Sequence, residues 1–325
     1  MDTRRLKYFA AIYDHGTLAR ASEHLHVATS ALSHHITNLE YDLGVKLFIR
    51  EPRGMSPTAA GERLYTHASK IIRLMKNAER DMQASKESLS GDVSISMAYS
   101  VIKLIGVTLA KEILTQYPKI HLSLLESLSG LTIDHMVSAQ VDIALAYNPP
   151  LTSALTLTPI LNERMVLMGH KSIIGEDEGP INFEEILDMP LFLLGRGLSS
   201  KVVFDDPKIL TAINKATIMH LYSVHAVQSL VLAKLGCVIG PITFLDEHTH
   251  LEGFHYRDIE NPILTRNLYA CEISDKTPTY AFEAIKYHIY SLIHSAIESG
   301  HWRAESLIKP EWLKLGPYAN LPSSK

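Results

Sequence analysis

The hydrophobic pattern is most informative between Thr17 and Leu43, where it predicts two short helices joined by a tight turn at His26 to Thr29. In the second helix, apolar residues recur at steps of four, three and four, which places them on one helical stripe. They are Leu32, Ile36, Leu39 and Leu43. Short hydrogen-bonding side chains lie on or beside the opposite face, as base-edge readout in a major groove requires. They are Ser30, Ser33, His34 and Thr37. The pattern fits a helix-turn-helix, and it fits an ordinary helical hairpin in a core equally well.

The segments on either side of these helices extend the same unit. The stretch from Arg4 to Asp14 predicts an amphipathic helix that packs beneath the two helices. After Gly44, two short extended stretches flank the turn Pro52-Arg53-Gly54, which predicts a wing-like hairpin. Arg50 and Arg53 lie on this hairpin, where their guanidinium groups could reach phosphates or a narrow minor groove.

A long helix is predicted from about Thr58 to Leu89. Its apolar residues step by four, three, four, three and four, which is the repeat of a coiled-coil seam. These residues are Leu64, Ala68, Ile71, Met75, Ala78 and Met82. A core helix would fit the same residues over one or two turns, but the charged flanking positions favour a helix that both links and dimerises. The polar stretch from Ser85 to Gly91 predicts a domain boundary.

Beyond Gly91, strands and helices alternate, which is typical of a parallel α/β sheet. A second strand-and-helix unit begins near Leu161, and the first unit resumes near Arg266. The chain is therefore expected to cross twice between two lobes and to form a hinged cleft. No element is predicted for the tail that begins at Gly300.

Composition narrows the class of protein. With 325 residues, 46% hydrophobic and 20% charged, the chain is expected to be a soluble globular protein of two or three units. It has no apolar run long enough for a membrane span and no signal-peptide pattern at its N-terminus, so a cytoplasmic location without membrane contact is expected. Residues 1–90 carry 13 Lys and Arg against 10 Asp and Glu, and the remainder carries 18 against 25. A basic head on an acidic body fits nucleic-acid contact, although a solvated face produces the same excess.

The sequence does not favour catalytic or metal chemistry. The histidine pairs His24/His26, His34/His35 and His248/His250 have spacings that diverge on a helix, so no metal site is predicted. Cys237 and Cys271 are far apart and are expected to be buried, inert thiols. Neither a nucleophile elbow nor a phosphate-binding glycine loop occurs. The chain is therefore predicted to bind rather than catalyse, with no catalytic residue and no cofactor.

Motifs in the first 65 or so residues resemble the DNA-binding head of LysR-type transcriptional regulators. They are HGTLARASEHL, ALSHHITNLE, LGVKLFIR and TAAG. Weaker similarity extends to about residue 298 through LLESLSGLTIDHMVSAQVDIALAY and LVLAKLGCVIGP. The segments RRLKYF and YTHASKIIR look closest to the branch that contains the nitrogen assimilation control protein.

The resemblance implies an α/β protein with an all-α winged helix-turn-helix head and a two-lobe effector domain like that of periplasmic binding proteins. On this view residues 1–57 bind DNA, 58–90 form the linker and dimerisation helix, 91–299 bind the effector, and 300–325 are a C-terminal tail. Lobe one would comprise about 91–161 and 267–299, and lobe two about 162–266.

The resemblance also assigns site residues. Thr29, Ser30, Ser33, His34 and His35 occupy recognition-helix positions, while Arg50 and Arg53 occupy the wing. Ser100, Ser129 and Ser199 match positions that commonly hydrogen-bond small ligands, together with amides of the helix N-termini that they open. The chain departs from the family pattern at Thr29-Ser30, where Gln-Pro is usual, at His34-His35, where Arg or Gln is usual, and at Ser127, where Gly is usual. Operator sequence and effector class therefore stay open.

The expected partners are double-stranded DNA, a small polar or anionic effector, a second copy in a homodimer that assembles to a homotetramer, and RNA polymerase as a further candidate. His34, and less strongly His35, is expected to make DNA affinity depend on pH, unless the neutral ring only packs or hydrogen-bonds. The alternatives are an effector-independent regulator of the same family, or a solute-binding protein or enzyme on the two-lobe fold.

Overall fold

The computed structural model divides the chain into two compact units, Met1–Gln83 and Ala84–Lys325. It describes residues 1–52, 54–82, 89–127, 132–133, 135–136, 141–195, 206–244, 252–274 and 278–314. Within these ranges, no helix combines the length and the apolar character that crossing a membrane requires.

The first unit, which we call the head, contains four helices and one hairpin. They are α1 (Thr3–His15), α2 (Leu18–Leu25), α3 (Thr29–Leu43), β1 (Phe48–Glu51), β2 (Gly54–Pro57) and α4 (Ala59–Met82). The side chains of Asp2 and Thr17 cap the N-termini of α1 and α2. Gly16 and Gly44 end α1 and α3 in the left-handed region that favours glycine. The predicted winged helix-turn-helix is therefore confirmed.

The core of the head joins all of these elements. Phe9, Leu32, Leu39 and Ala68 are fully buried in it, and Ile36 is buried as well, so Leu32, Ile36 and Leu39 of the α3 stripe face inward as predicted. The prediction was wrong for Leu43, which is 38% exposed in the last turn of α3. The hairpin pairs antiparallel, with Phe48 opposite Pro57. It docks on the end of α1 so closely that a Cβ at Gly54 would lie 2.5 Å from the carbonyl oxygen of Gly16.

The second unit contains the two-lobe body. In chain order, its first ten described elements are β3 (Ser90–Met97), α5 (Tyr99–Gln116), β4 (Lys119–Glu126), β5 (Ile143–Tyr147), β6 (Leu155–Arg164), β7 (Val166–His170), α6 (Lys171–Ile174), β8 (Ile181–Asn182), α7 (Phe183–Ile186) and β9 (Leu191–Leu194). The rest are α8 (Pro207–Ala216), β10 (Thr217–Leu221), α9 (Val224–Leu232), β11 (Cys237–Gly240), β12 (Phe254–Glu260), β13 (Thr265–Ile273), α10 (Tyr280–Glu298) and β14 (Ala304–Ser306). Two short 3-10 helices, Ile242–Phe244 and Pro310–Leu313, complete the set.

Each lobe is built on a six-stranded sheet. The order is β14-β6-β13-β5-β3-β4 in lobe one and β10-β9-β11-β7-β12-β8 in lobe two. β3 runs parallel to β4 and β5, and β9 runs parallel to β10 and β11, while β6, β7 and β13 add antiparallel pairs. In lobe one, α5 and α10 bury Ile105, Leu109 and Ile285 against the sheet. In lobe two, α7 and α8 contribute to one apolar cluster and α9 to another. The predicted two-lobe fold is confirmed.

The chain crosses between the lobes twice. β6 leads through Met165 into β7, and β12 leads through residues 261–264 into β13. The sequence pattern predicted the crossings near Leu161 and Arg266, but β6 stays in the lobe-one sheet to Arg164 and β13 has already entered that sheet at Thr265. Apolar periodicity continues through both crossings, so it does not show where a strand changes sheets.

The segment after α10 belongs to lobe one. β14 pairs antiparallel with β6, Ala304 lying opposite Glu163 and Ser306 opposite Leu161. Trp302 is buried in the lobe-one core. The sequence pattern set residues 300–325 apart as a tail, whereas 302 to 306 fill the edge of the sheet. The pattern gave no signal because a three-residue strand is too short for a periodicity.

Candidate DNA-binding surface and interlobe pocket

The outer face of α3 presents most of the residues that were predicted to read DNA. Thr29, Ser30, His34 and Thr37 are exposed there, on a helix whose opposite stripe is buried. The N-cap residue Ala28 supplies no side-chain hydrogen bond, so the first amides of α3 keep the partial positive charge that suits a phosphate.

Most of the predicted residues on α3 also have contacts within the head. The Thr29 hydroxyl shares a hydrogen bond of 3.0 Å with that of Ser22, Nε2 of His34 shares one of 3.0 Å with Nδ2 of Asn38, and the Thr37 hydroxyl donates to the Ser33 carbonyl at 2.9 Å. The Ser33 hydroxyl accepts a hydrogen bond of 2.9 Å from Nη2 of Arg50, so Ser33 joins α3 to the hairpin. The His35 ring packs against Tyr8 of α1, with ring centroids 5.0 Å apart. His35 was predicted to bind DNA from its place in the recognition helix, and its ring lies half-buried between α3 and α1 rather than on the exposed face, so a direct DNA contact by His35 stays a prediction. Arg53 lies outside the described residues.

A buried carboxylate fixes the hairpin to α3. Oε1 of Glu40 accepts hydrogen bonds from the amides of Leu47 at 2.9 Å and Phe48 at 3.3 Å, and Oε2 lies 2.6 Å from Nζ of Lys46. Burial alone would raise the pKa of Glu40. The hydrogen bonds from Lys46 and from the two amides lower it by more than burial raises it, so the pKa lies below its ordinary value. Glu40 therefore holds the recognition helix and the wing in one geometry.

The predicted seam of α4 divides between two environments. Ala68 is fully buried in the core of the head and Leu64 packs against that core. Ala68 therefore cannot contact a second chain, which corrects its assignment as a dimerisation residue. Met75 is half-buried. The exposed apolar residues are Ile71, Leu74, Ala78 and Met82, of which Leu74 is 60% and Met82 81% exposed. The predicted seam did not include Leu74, although this residue follows Ile71 by three positions and therefore lies on the same face of α4.

A pocket lies between the two lobes. Apolar residues form most of its wall, and they come from both lobes. They are Ala98, Met165, Leu193, Leu194, Val224, Val238, Ile239, Pro241 and Phe244. Polar groups come from Tyr99, Ser100, Ser127 and Arg266. The wall is therefore more apolar than the sequence led us to expect.

The three serines predicted for this pocket have different outcomes. Ser100 lies in the first turn of α5 and lines the pocket. Ser129 and Ser199 lie outside the described residues. Ser127, which stood out in the sequence only as a departure from the family pattern, also lines the pocket and shares a hydrogen bond of 2.9 Å with the hydroxyl of Ser96.

The Ser100 hydroxyl already has two partners in the body. It shares a hydrogen bond of 3.0 Å with the hydroxyl of Tyr147 and accepts one of 3.0 Å from Nη2 of Arg266. The guanidinium of Arg266 also lies 3.5 Å from the centroid of the Tyr147 ring. Burial raises the pKa of Tyr147 well above its ordinary value, so its hydroxyl keeps its proton.

Behind Arg266 lies a buried acid. Oε1 of Glu163 accepts from Nε of Arg266 at 2.7 Å and from Nη2 at 2.5 Å. Oε2 of the same carboxylate accepts from Nε1 of Trp302 at 2.9 Å. Glu163 is 2% exposed and Arg266 is 9% exposed. The sequence assigned none of these three residues to the site, because they meet only when β6, β13 and the segment after α10 come together.

Direct contacts join the lobes at the mouth of the pocket. Nζ of Lys103 on α5 donates to the carbonyl of Thr243 at 2.8 Å, and Nε2 of Gln228 on α9 donates to the hydroxyl of Tyr99 at 3.3 Å. The Tyr99 ring meets the Phe244 ring edge-on, with centroids 6.3 Å apart. These contacts connect the first turns of α5 to α9 and to the 3-10 helix after β11.

The described residues show no metal-binding arrangement. No group of three or more His, Cys, Asp or Glu side chains that could hold an ion occurs among them. Both cysteines are buried, and burial raises the pKa of the Cys237 thiol and of the Cys271 thiol to about 12. Both side chains are therefore protonated thiols near neutral pH.

Known proteins match both units. The family description "Bacterial regulatory helix-turn-helix protein, lysR family" matches residues 3–62, and "LysR substrate binding domain" matches residues 86–288. The nitrogen assimilation regulatory protein nac of Escherichia coli (strain K12) is 30% identical over 242 residues, which are 74% of this chain and 78% of that protein. The HTH-type transcriptional regulator YofA of Bacillus subtilis (strain 168) is 26% identical over 253 residues, which are 77% of this chain and 85% of that protein.

Solved structures share the fold. A full-length OxyR variant from Pseudomonas aeruginosa has a TM-score of 0.68 at 20% identity, covering 95% of this chain and 99% of that chain. Full-length CbnR in complex with its target DNA has a TM-score of 0.62 at 20% identity, covering 91% of this chain and all of that chain (100%).

A helix-turn-helix head combined with a two-lobe effector-binding body defines a DNA-binding transcriptional regulator. The relatives are regulators, and this chain is a regulator rather than an enzyme. The chain belongs to the LysR family.

Proposed function

We propose that α3 and the β1–β2 hairpin form the surface that selects the operator. Thr29, Ser30, His34 and Thr37 face the base edges, and Arg50 faces phosphates. The observation that carries this proposal is the exposed, uncapped N-terminal half of α3, which is braced by a buried apolar stripe. Arg53, which the sequence analysis assigned to the wing, is a further proposed DNA contact.

Ser33 and His35 act indirectly in this proposal. Ser33 orients the Arg50 guanidinium through the hydrogen bond between them, and His35 packs α3 on α1. Both residues are therefore expected to affect affinity more evenly across sequences than His34 or Thr37 do, because neither places a free polar group at the outer face.

A selection from a random DNA duplex pool tests this surface. The wild type is expected to enrich one sequence pattern, and Thr37→Ala and His34→Ala are expected to relax it at separate positions, each at a cost of about 1–3 kcal/mol at the matched base pair. Lys208→Ala, an exposed cation on α8, is the control and is expected to select the wild-type pattern. Enrichment of an identical pattern by all variants would contradict the assignment.

We infer that the interlobe pocket binds a small-molecule effector and that binding changes the affinity for the operator. The two crossings beside the pocket support this view, because a ligand that contacts both lobes can bias their relative position. Val224→Phe, which fills the pocket from α9, is expected to remove the response of operator binding to an effector. A panel of metabolites with no effect on either protein would favour the effector-independent alternative.

We further propose that the exposed stripe of α4 forms a homodimer and that dimers assemble to a homotetramer on DNA in the cytoplasm. The exposed stripe formed by Ile71, Leu74, Ala78 and Met82 supports the first step, since water contact at so many apolar side chains is unfavourable. RNA polymerase is a further candidate partner of a DNA-bound regulator.

A further inference from the structure

The charge on the wall of the interlobe pocket is balanced within one buried ion pair, while the Lys103 ammonium at the mouth donates to the Thr243 carbonyl. Arg266 is the one charged side chain among the described residues that line it. Its guanidinium is paired with Glu163 through two contacts of 2.5 and 2.7 Å. Because both side chains are almost completely buried, water screens this pair very little, and the ion pair behaves as a neutral unit toward a ligand.

Glu163 could leave Arg266 only at a high cost. A ligand carboxylate that paired with Arg266 in its place would leave the Glu163 carboxylate buried and negatively charged, with only neutral hydrogen-bond donors, the Trp302 N–H and the Tyr147 hydroxyl, beside it among the described residues. A ligand carboxylate that left the pair intact would itself be a buried charge without a counter-ion among the described lining residues. Both arrangements place an uncompensated charge in an apolar site, which proteins avoid.

The pocket still offers polar contacts to a neutral acceptor. The first amides of α5 lie beside Ser100, and Ala98 supplies no side-chain cap for them. A carbonyl or hydroxyl oxygen can accept from such amides, and the aromatic rings of Tyr99 and Phe244 can pack on an apolar body. The partial charge at a helix terminus stabilises such a dipole but does not balance a full negative charge.

We propose that Glu163 sets the ligand class of this pocket, so that it selects small, uncharged, mainly apolar molecules with one hydrogen-bond acceptor, and excludes anions. Trp302 supports this selection because its N–H holds the carboxylate in place against Arg266. The proposal rests on the proposed function of the pocket as the effector site. It replaces the polar or anionic effector that the sequence suggested.

Matched probe pairs test the proposal on the full-length protein. Benzamide is compared with benzoate, and phenylacetamide with phenylacetate, by titration calorimetry at pH 7.5 and fixed salt. The wild type is expected to bind each amide at least about tenfold more tightly than its carboxylate. Val224→Phe is expected to weaken both amides, which places them in the pocket.

Two charge variants give the sharpest comparison. Glu163→Gln leaves Arg266 without its counter-ion and is expected to reverse the preference toward the carboxylates by about tenfold or more. The double variant Glu163→Gln with Arg266→Gln restores zero net charge and is expected to keep the preference for amides. If Glu163→Gln does not fold, as judged by circular dichroism, the wild type and the double variant still decide the question.

Three results would overturn the proposal. They are carboxylates that bind the wild type as tightly as the amides, no detectable binding of any of the four probes, and a Glu163→Gln protein that folds but keeps the wild-type preference. The proposed function fails separately. It fails if operator affinity is unchanged both by an amide that occupies the pocket and by every member of a metabolite panel. That result would not affect the measured preference of the pocket for amides over carboxylates.

Discussion

The DNA-binding surface and the interlobe pocket are assembled in opposite ways. The proposed DNA contacts lie within one helix and the hairpin that follows it, from Thr29 to Arg50. In the pocket, Ser100 on α5 accepts a hydrogen bond from Arg266 on β13, 166 positions further along the chain, and Glu163, which neutralises Arg266, lies on a third element, β6. A surface on one helix can therefore be recognised from sequence periodicity, whereas a pocket made of distant side chains becomes visible only in the fold.

The two regions also differ in what a charge does. On the proposed DNA-binding face, the polar residues Thr29, Ser30, His34, Thr37 and Arg50 are exposed, so their interactions are screened and each contributes modestly. In the pocket, charge is buried and balanced within one ion pair. Substitutions in the pocket are therefore expected to have larger effects on stability than substitutions on the DNA-binding face, and the predictions below follow that order.

The largest effect is expected at the buried ion pair. Glu163→Ala leaves the Arg266 guanidinium buried without its counter-ion and removes the acceptor of the Trp302 N–H, so it should lower the free energy of unfolding of the body by about 3–5 kcal/mol. Urea unfolding followed by tryptophan fluorescence measures this, because both tryptophans, Trp302 and Trp312, lie in the second unit. The exposed Glu178→Ala is the control and should change little. A loss below about 1 kcal/mol would contradict this account of the pair.

The next effect concerns the exposed stripe of α4. Leu74→Glu places a charge in the centre of the proposed dimer contact and should dissociate the assembly at micromolar concentration, as measured by light scattering. Tyr41→Glu changes an even more exposed residue outside the stripe, 86% against 60% exposed, and should leave the molar mass unchanged. A monomeric wild type, or an intact Leu74→Glu oligomer, would exclude α4 as the contact.

A smaller effect is expected at the hairpin. Arg50→Ala removes a phosphate contact and the group that Ser33 positions, so operator affinity should fall about tenfold and the dependence on salt should weaken by about one released ion. Operator affinity is measured between about 50 and 200 mM salt, the range over which phosphate contacts respond strongly to salt. The measurement separates the loss of affinity from the change in salt dependence. Lys208→Ala should match the wild type in both. An unchanged salt slope for Arg50→Ala would mean that Arg50 braces Ser33 without reaching DNA.

The head should also be sensitive to acid through Glu40. Because its pKa is lowered in the fold, the stability it contributes is present above its ordinary value of 4.5 and is lost as the pH falls through the lower folded value. Glu40→Gln should remove about 1–2 kcal/mol at neutral pH and flatten the decline in acid. Hydrogen exchange of α3 and hairpin amides from pH 6 to about 3.5 reports this, with Glu62→Gln on the exposed face of α4 as control. Equal acid sensitivity of the wild type and Glu40→Gln would contradict it.

The smallest effect is expected at His34. The negative potential of DNA favours the protonated form of an imidazole in the groove, so operator affinity should rise a few-fold as the pH falls from about 8 to 6. His34→Gln should lose this slope at fixed salt, while His35→Gln should keep it because that ring packs against Tyr8. If the wild type and His34→Gln share one slope, His34 is not the group that takes up the proton.

The difference between local and long-range assembly explains which parts of the structure could be predicted from the sequence. The helix boundaries of the head and the alternating body followed from periodicity, because Leu32, Leu39 and the β3 strand are buried by local repetition of one pattern. The burial of Ala68 and the packing of His35 against Tyr8 did not follow from periodicity. Both residues lie at the border of the apolar stripe of their helix, where the pattern does not decide between a buried and an exposed side chain. Glu163 and Trp302 gave no signal at all, because a lone acid and a lone aromatic become a site only when strands far apart in sequence pair.

The pairing of β14 with β6 has a consequence for the integrity of the chain. β6 is the next strand inward from that edge, so a chain cut before Trp302 would expose its unpaired amides and carbonyls to other strands, and would remove the N–H donor from Glu163 at the same time. Chains shortened in this way should associate edge to edge and be cleaved early by proteases. The segment after α10 thus protects residues 161 to 163 of β6 and supplies the Trp302 donor to Glu163, so truncation before Trp302 should disturb the sheet edge and the pocket together.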